Sequence, residues 1–194
     1  MEKVIENMNV SKKILASAYR CISQKGYAKA SLRDIAEDAG VALSQLNYYY
    51  KNKEGLFKEV VNELSTDYIK EIELMFLKGS SAKEKLNNLI IYFKNIMYDK
   101  PETNRLLFDL ISMSIWNTSF KSLLSGLFDK VSELIRKYIF EDSTLKHKYD
   151  DFTADSLSKS IVGTIFGTAM QYILNPSDKA IIESLNCIDL SLEQ

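Results

Sequence analysis

A chain of 194 residues that is 46% hydrophobic has enough apolar material for one large domain, or for a small and a larger one, without covalent staples. Its two cysteines, Cys21 and Cys187, lie at opposite ends in no metal-ligand spacing, which leaves a disulfide framework unsupported and suits a reducing compartment. The net charge of −1 hides an asymmetry: residues 1–60 hold ten Lys/Arg against seven Asp/Glu, a balance of +3, and the remainder carries −4, a tilt that permits nucleic-acid binding without requiring it.

No run of about 18 apolar residues occurs, and the opening MEKVIENMNV lacks the apolar stretch of a signal peptide, so the expected location is cytoplasmic, with no membrane partner. Glycine and proline are scarce, seven and two, and the apolar periodicity is helical throughout. The expected fold class is therefore all-α.

In chain order, the first helix is predicted from about Val10 to Gln24, with Ile14, Ala18, Cys21 and Ile22 on one face and Gly26 as a left-handed stop. Ser31 opens a second helix as N-cap with Asp34 three residues on, and Gly40 ends it. A third runs from Ala42 or Leu43 to about Tyr50, and Asn52 caps a fourth through Leu56, Phe57, Val60, Val61, Leu64, Tyr68 and Ile72. The stretch LKGSSAKE at 77–84 then breaks the pattern as a candidate domain boundary. Further helices are predicted near 82–99, 101–116 and 120–140, with Pro101 in a first turn. The polar loop EDSTLKHKYDD follows, and helices near 153–174 and 177–190 are separated by NPSD.

Chemistry concentrates in the third helix. At 100° per residue, Leu43, Leu46 and Tyr50 share one side, Ser44, Gln45, Tyr48 and Tyr49 the other, with Asn47 at the edge. A polar-aromatic face on a helix too short to be stable alone, entered from a preceding helix through DAGVA, is what a helix-turn-helix inserts into the major groove. The helix starts at Ser31 and at Asn52–Lys53 add two partly positive ends suited to phosphate. A tyrosine-rich surface helix with ordinary caps is the bland alternative.

Residues 14–61, ILASAYRCISQKGYAKASLRDIAEDAGVALSQLNYYYKNKEGLFKEVV, resemble the N-terminal DNA-binding domain of the TetR family of bacterial repressors. The resemblance implies a three-helix helix-turn-helix domain over residues 1–52, with a linking helix from about 53. It further implies a helical ligand-binding and dimerisation domain over 53–194, about nine helices in all. Its DNA-contacting positions fall on Ser31, Ser44, Gln45, Asn47, Tyr48, Tyr49 and Lys53. The chain departs from the common pattern where Ala42 replaces a capping Ser or Thr, Leu43 and Ser44 replace a Lys-Gly pair, Asn47 replaces Tyr and Tyr50 replaces Phe. The Ala42 and Leu43 changes weaken phosphate anchoring at the third helix.

In SKSIVGTIFGTAMQYILNPSD, which resembles the family's penultimate helix, Gly163 and Gly167 lie on one face and would admit a partner helix of a homodimer; the alternative buries them within one subunit. Phe93, Met97, Phe108, Met113 and Trp116 fall on helices that in this family surround an effector cavity, and aromatics with methionine suit a small apolar or aromatic molecule. The implied function is a ligand-responsive regulator, most simply a repressor, that binds double-stranded operator DNA as a dimer. A helical ligand-binding or adaptor protein of the same fold, without operator binding, is the alternative. An enzyme is disfavoured: His147, the only histidine, has no nucleophile or orienting acid placed by a motif, and Asp150, Asp151 and Asp155 precede a helix whose N-terminus they stabilise. No metal site or cofactor is expected.

Overall fold

The structure is a computed structural model that describes residues 10–141 and 152–188. Among them are nine α-helices and no strand. His147, Asp150 and Asp151 lie outside the described residues. The chain divides into two compact units: Met1–Thr66 with Arg105–Leu123, and Asp67–Asn104 with Leu124–Gln194. The LKGSSAKE segment is thus no boundary between units but a turn inside the second. A Gly-Ser pair marks a tight turn as readily as a linker, and sequence composition does not separate the two.

In the first unit, α1 (Val10–Lys25), α2 (Leu32–Ala39) and α3 (Leu43–Tyr49) precede the start of α4 (Lys53–Lys78). Local signals fix these ends. Gly26 and Gly40 take φ of 79° and 66°, the left-handed region in which a Cβ is strained. The Gly40 and Val41 amides fold back onto the Glu37 and Ala36 carbonyls, closing α2. At its start, the Ser31 hydroxyl accepts from the Asp34 amide at 3.1 Å, while the Asp34 carboxylate accepts from the Ser31 amide at 3.3 Å. Ser31 and Asp34 thus close a capping box. Ile14, Ala18, Ile22, Ile35, Leu46 and Phe57 form the buried interior.

The second unit contains α5 (Ala82–Asp99) and α8 (Ala154–Leu174), together with parts of α4, α6 (Pro101–Ser114) and α7 (Thr118–Ile135). Its core joins Ile72 and Phe76 of α4, Leu89 of α5, Ile135 of α7 and Ile165 of α8. Three predicted helices end differently from expectation. α6 stops at Ser114 instead of running to 116, because Asn117 caps α7, its Oδ1 accepting from the Ser119 and Phe120 amides at 2.9 and 3.3 Å. α7 passes into a π-helical turn, Arg136–Glu141. The last predicted helix shortens to α9 (Lys179–Glu183), followed by a 3₁₀ turn, Ser184–Asn186, where the Ser184 hydroxyl donates to the Ile181 carbonyl at 2.6 Å.

Candidate nucleic-acid interface

The seven residues of α3 cannot hold a helix by themselves, so their conformation depends on what anchors them. Leu46 is fully buried, and buried Tyr50, in extended conformation just past the helix end, places its phenol 2.9 Å from the Ser11 hydroxyl of α1. Burial raises the pKa of Tyr50, and either hydroxyl of this pair can donate to the other. The opposite face is open. Ser44, Gln45, Asn47, Tyr48 and Tyr49 are all exposed, Tyr48 at 83% of its full surface, with its ring edge-on to that of Tyr49 at 5.3 Å. Exposed phenols beside an amide and a hydroxyl offer hydrogen bonds and flat apolar surface to base edges.

The helix-three start matches the weakness expected from its sequence: Ala42 supplies no side-chain cap. Neighbouring helix starts are better made. The Asn52 Oδ1 accepts from the Gly55 amide at 2.8 Å, as its predicted capping role requires. Ser31 is exposed at the other start.

Internal carboxylates already engage much of the nearby positive charge. Arg20 donates to Asp38 at 2.6 Å, joining α1 to α2, and Lys25 reaches Asp34 at 3.3 Å. These contacts hold the Asp34 carboxyl below its usual range, the Lys25 hydrogen bond contributing most and those of Ser31 next. Lys58 pairs with Glu54 one turn away at 2.6 Å.

Lys53 behaves differently from the free cation that its motif position suggests. Its ammonium donates to the Ala28 carbonyl at 3.2 Å and lies 4.3 Å from the centre of the Tyr27 ring. Desolvation lowers its pKa, and the charge of Asp109 opposes that shift. By contrast, Lys29 and Lys51 are exposed beside the two helix starts and form no ion pair among the described residues. Neither was singled out by motif position, although a lysine one or two residues before an N-cap is a readable signal for phosphate binding.

On α8, both predicted glycines are exposed, and a Cβ at either would meet no atom within 4 Å. They are therefore not packing accommodations within the unit. Met170 and Leu174, exposed at 52% and 76%, continue an apolar strip with Gly163 and Gly167.

The predicted effector residues are divided between the two units. Phe93 and Met97 fall in the second unit, and Phe108, Met113 and Trp116 in the first. Met97 is 1% exposed in the core, Phe93 packs partly buried against that core, and Phe108 and Met113 are partly buried. Trp116 lies beyond the end of α6 and is 89% exposed, so it borders no core; the Asn117 cap that ends the helix carries it outward. A groove of about 480 Å³ in the second unit, between α4 and α5, is lined by none of the five. Asp155, in the first turn of α8, pairs with Lys159 at 2.8 Å, as an ordinary helix-start carboxylate does. Among the described residues, no cluster of His, Cys, Asp or Glu could hold a metal, and no helix is long and apolar enough to cross a membrane.

Residues 14–60 match the family model described as bacterial regulatory proteins, tetR family. The probable HTH-type transcriptional regulator YttP of Bacillus subtilis is 28% identical over 131 residues, covering 66% of this chain but only 60% of that relative, less than two thirds of its length. The HTH-type transcriptional regulator PksA of the same organism is 26% identical over 189 residues, covering 91% of this chain and 84% of PksA. Among solved structures, the transcriptional regulator FadR from B. subtilis in complex with stearoyl-CoA superposes with a TM-score of 0.74 at 20% identity, over 93% of this chain and 96% of that one.

Proposed function

The chain belongs to the TetR family of bacterial regulatory proteins, and on that premise we propose that it acts as a homodimeric repressor of a palindromic operator, released by a small apolar or aromatic effector. It is a helix-turn-helix transcriptional regulator, as its relatives are, and not an enzyme. The observation that carries the reading is the open face of α3, where Gln45, Asn47, Tyr48 and Tyr49 project from a helix anchored by Leu46 and Tyr50.

In this reading residues 1–52 are the DNA-binding domain, joined by a linking helix from about 53 to the regulatory region through 194. Ser44, Gln45, Asn47, Tyr48 and Tyr49 meet base edges and nearby backbone, while Ser31, Lys53 and their helix starts meet phosphates. Two copies of α3 set about 34–36 Å apart enter successive major grooves. The open strip of Gly163, Gly167, Met170 and Leu174 supports a second copy packing against α8. An effector that favours a different spacing of the two α3 helices lowers operator affinity by the ratio of its affinities for the two states. The likeness of fold to a regulator solved with stearoyl-CoA supports an apolar effector, with Phe93 the predicted lining residue that remains partly buried in the second unit. A DNA-binding role places the protein in the cytoplasm.

The test is to titrate the protein into duplexes from the intergenic DNA beside its own gene, at several salt concentrations. The repressor reading expects tight binding confined to a palindrome, weakening as salt rises, and release by acyl-CoA thioesters or aromatic small molecules. Weak, salt-insensitive binding to every duplex would favour a ligand-binding or adaptor protein of the same fold.

A further inference from the structure

Within the second unit, α4 and α5 are joined by the short turn at 79–81, and the groove of about 480 Å³ between them falls in the volume range of small-molecule sites. The α4 wall runs from Glu71 to Lys78 and the α5 wall from Asn88 to Asn95, two turns of helix each, so the groove is about 10 Å long. Its middle is apolar. Leu74 and Ile91 are 50% and 47% exposed on the two walls, beside partly buried Met75 and Tyr92.

The two ends carry opposite charges that are unequally engaged. Glu71 accepts from the Tyr92 hydroxyl at 2.8 Å, a bond that ties the helices together at that end. Lys78, beside the turn, forms no ion pair or hydrogen bond among the described residues, and neither does the side-chain amide of Asn88 on the facing wall. The neighbouring cation, Lys85, is turned onto the Tyr138 ring at 5.6 Å. An ammonium and an amide donor thus stand open at one end of an apolar trough.

We propose that this groove is a binding site for an elongated apolar monocarboxylate, its head on Lys78 and the Asn88 amide and its chain between Leu74 and Ile91. The site goes beyond the effector reading above, since none of the five residues assigned there lines it, and it stands whether or not the chain binds DNA. Two turns of open apolar wall favour a chain over a compact ring system, and covering the exposed leucine and isoleucine supplies the attraction. Charge sets the direction. A carboxylate at the far end would meet Glu71 and be repelled, whereas a cationic head placed on Glu71 would aim its tail at an ammonium without a counter-charge.

The test titrates the full-length protein with sodium decanoate, 1-decanol and decyltrimethylammonium, each below its aggregation threshold, while NMR follows the side-chain amide signals of Asn88 and Asn95. Decanoate should move both signals saturably and bind roughly two- to fivefold more tightly than decanol, the range of one exposed ion pair, with the cation weakest. Lys78→Gln should abolish that preference and leave decanol binding as it was. Ile91→Gln should weaken all three, and because Ile91 is already half exposed the substitution should spare the fold. If it does not, Leu74→Gln tests the same trough from the other wall.

Equal affinity for decanoate and decanol in the wild type, or a preference that survives in Lys78→Gln, would overturn the proposal. Decanoate that leaves Asn88 and Asn95 unmoved would overturn it as well, as would tightest binding by the cation. Signals that follow protein concentration instead of ligand would give the groove to a second copy of the chain and end the proposal in that way. None of these measurements contains DNA, so their failure would leave the operator reading standing.

Discussion

Helix α3 leaves Ser44, Gln45, Asn47, Tyr48 and Tyr49 uncovered, whereas helix α8 leaves Gly163, Gly167, Met170 and Leu174. The first face is all hydrogen-bonding groups and phenol edges on a short helix, and it suits a hydrated polyanion whose bases present donors and acceptors. The second is smooth and largely apolar over a long helix, with nothing within 4 Å of either glycine's missing Cβ, and it suits close approach by another helix. One chain thus carries two uncovered faces whose chemistries call for different partners, and in the proposed repressor neither partner suffices alone: DNA affinity depends on both copies of α3 being present.

The largest effect should come from filling the second face. Gly167→Leu should shift the protein toward monomer in sedimentation and weaken operator binding on the order of a hundredfold, as the second half-site contact is lost. Its melting temperature at equal monomer content should not fall, because a Cβ at this position meets no atom within 4 Å in its own chain. A mutant that stays dimeric would move the dimer contact off this strip. On the first face, Gln45→Ala or Tyr48→Ala should cost about 1–3 kcal/mol of operator affinity per half-site contact while melting as the wild type does. Equal affinity in both mutants would remove α3 from base recognition.

Smaller effects probe the support beneath α3. Ser31→Ala removes one half of the capping box and should destabilise the first unit by about 1 kcal/mol, read from denaturant unfolding. The Asp34 carboxyl has its pKa lowered in the folded state, so it binds a proton less readily there than in the unfolded chain. Its stabilisation is present above the ordinary value of 3.8 and is lost as pH falls through the lower folded value. Asp34→Asn should therefore flatten the acid limb of the stability curve, and an unchanged limb would remove Asp34 from that balance.

The helix ends between Gly26 and Asn52 are legible in the sequence because their instructions are local. Gly26, Ser31, Asp34, Gly40 and Asn52 each cap or stop a helix through bonds to residues within about one turn, so residue type and spacing suffice to place them. The division of α3 into a buried and an open face followed from period alone. What escaped the sequence was contact between distant residues: the Tyr27 amide on Asp109, 82 residues away, and the inward turn of Lys53. Trp116 falls outside α6 because the cap at Asn117 ends that helix early, in competition with an apolar run that reads as continuous helix. Met97 shows the complementary difficulty, since periodicity places a residue on an apolar face without telling core from cavity wall.

The central claim is that a pair of α3 helices reads a palindrome with fixed spacing, and the most direct measurement compares the natural palindrome with one lengthened by about 5 base pairs between its half-sites, roughly half a helical turn. The account predicts tight, salt-sensitive binding to the first, and to the second only the weak binding shown by unrelated duplex. Equal affinity for both, or for neither above unrelated DNA, would contradict it.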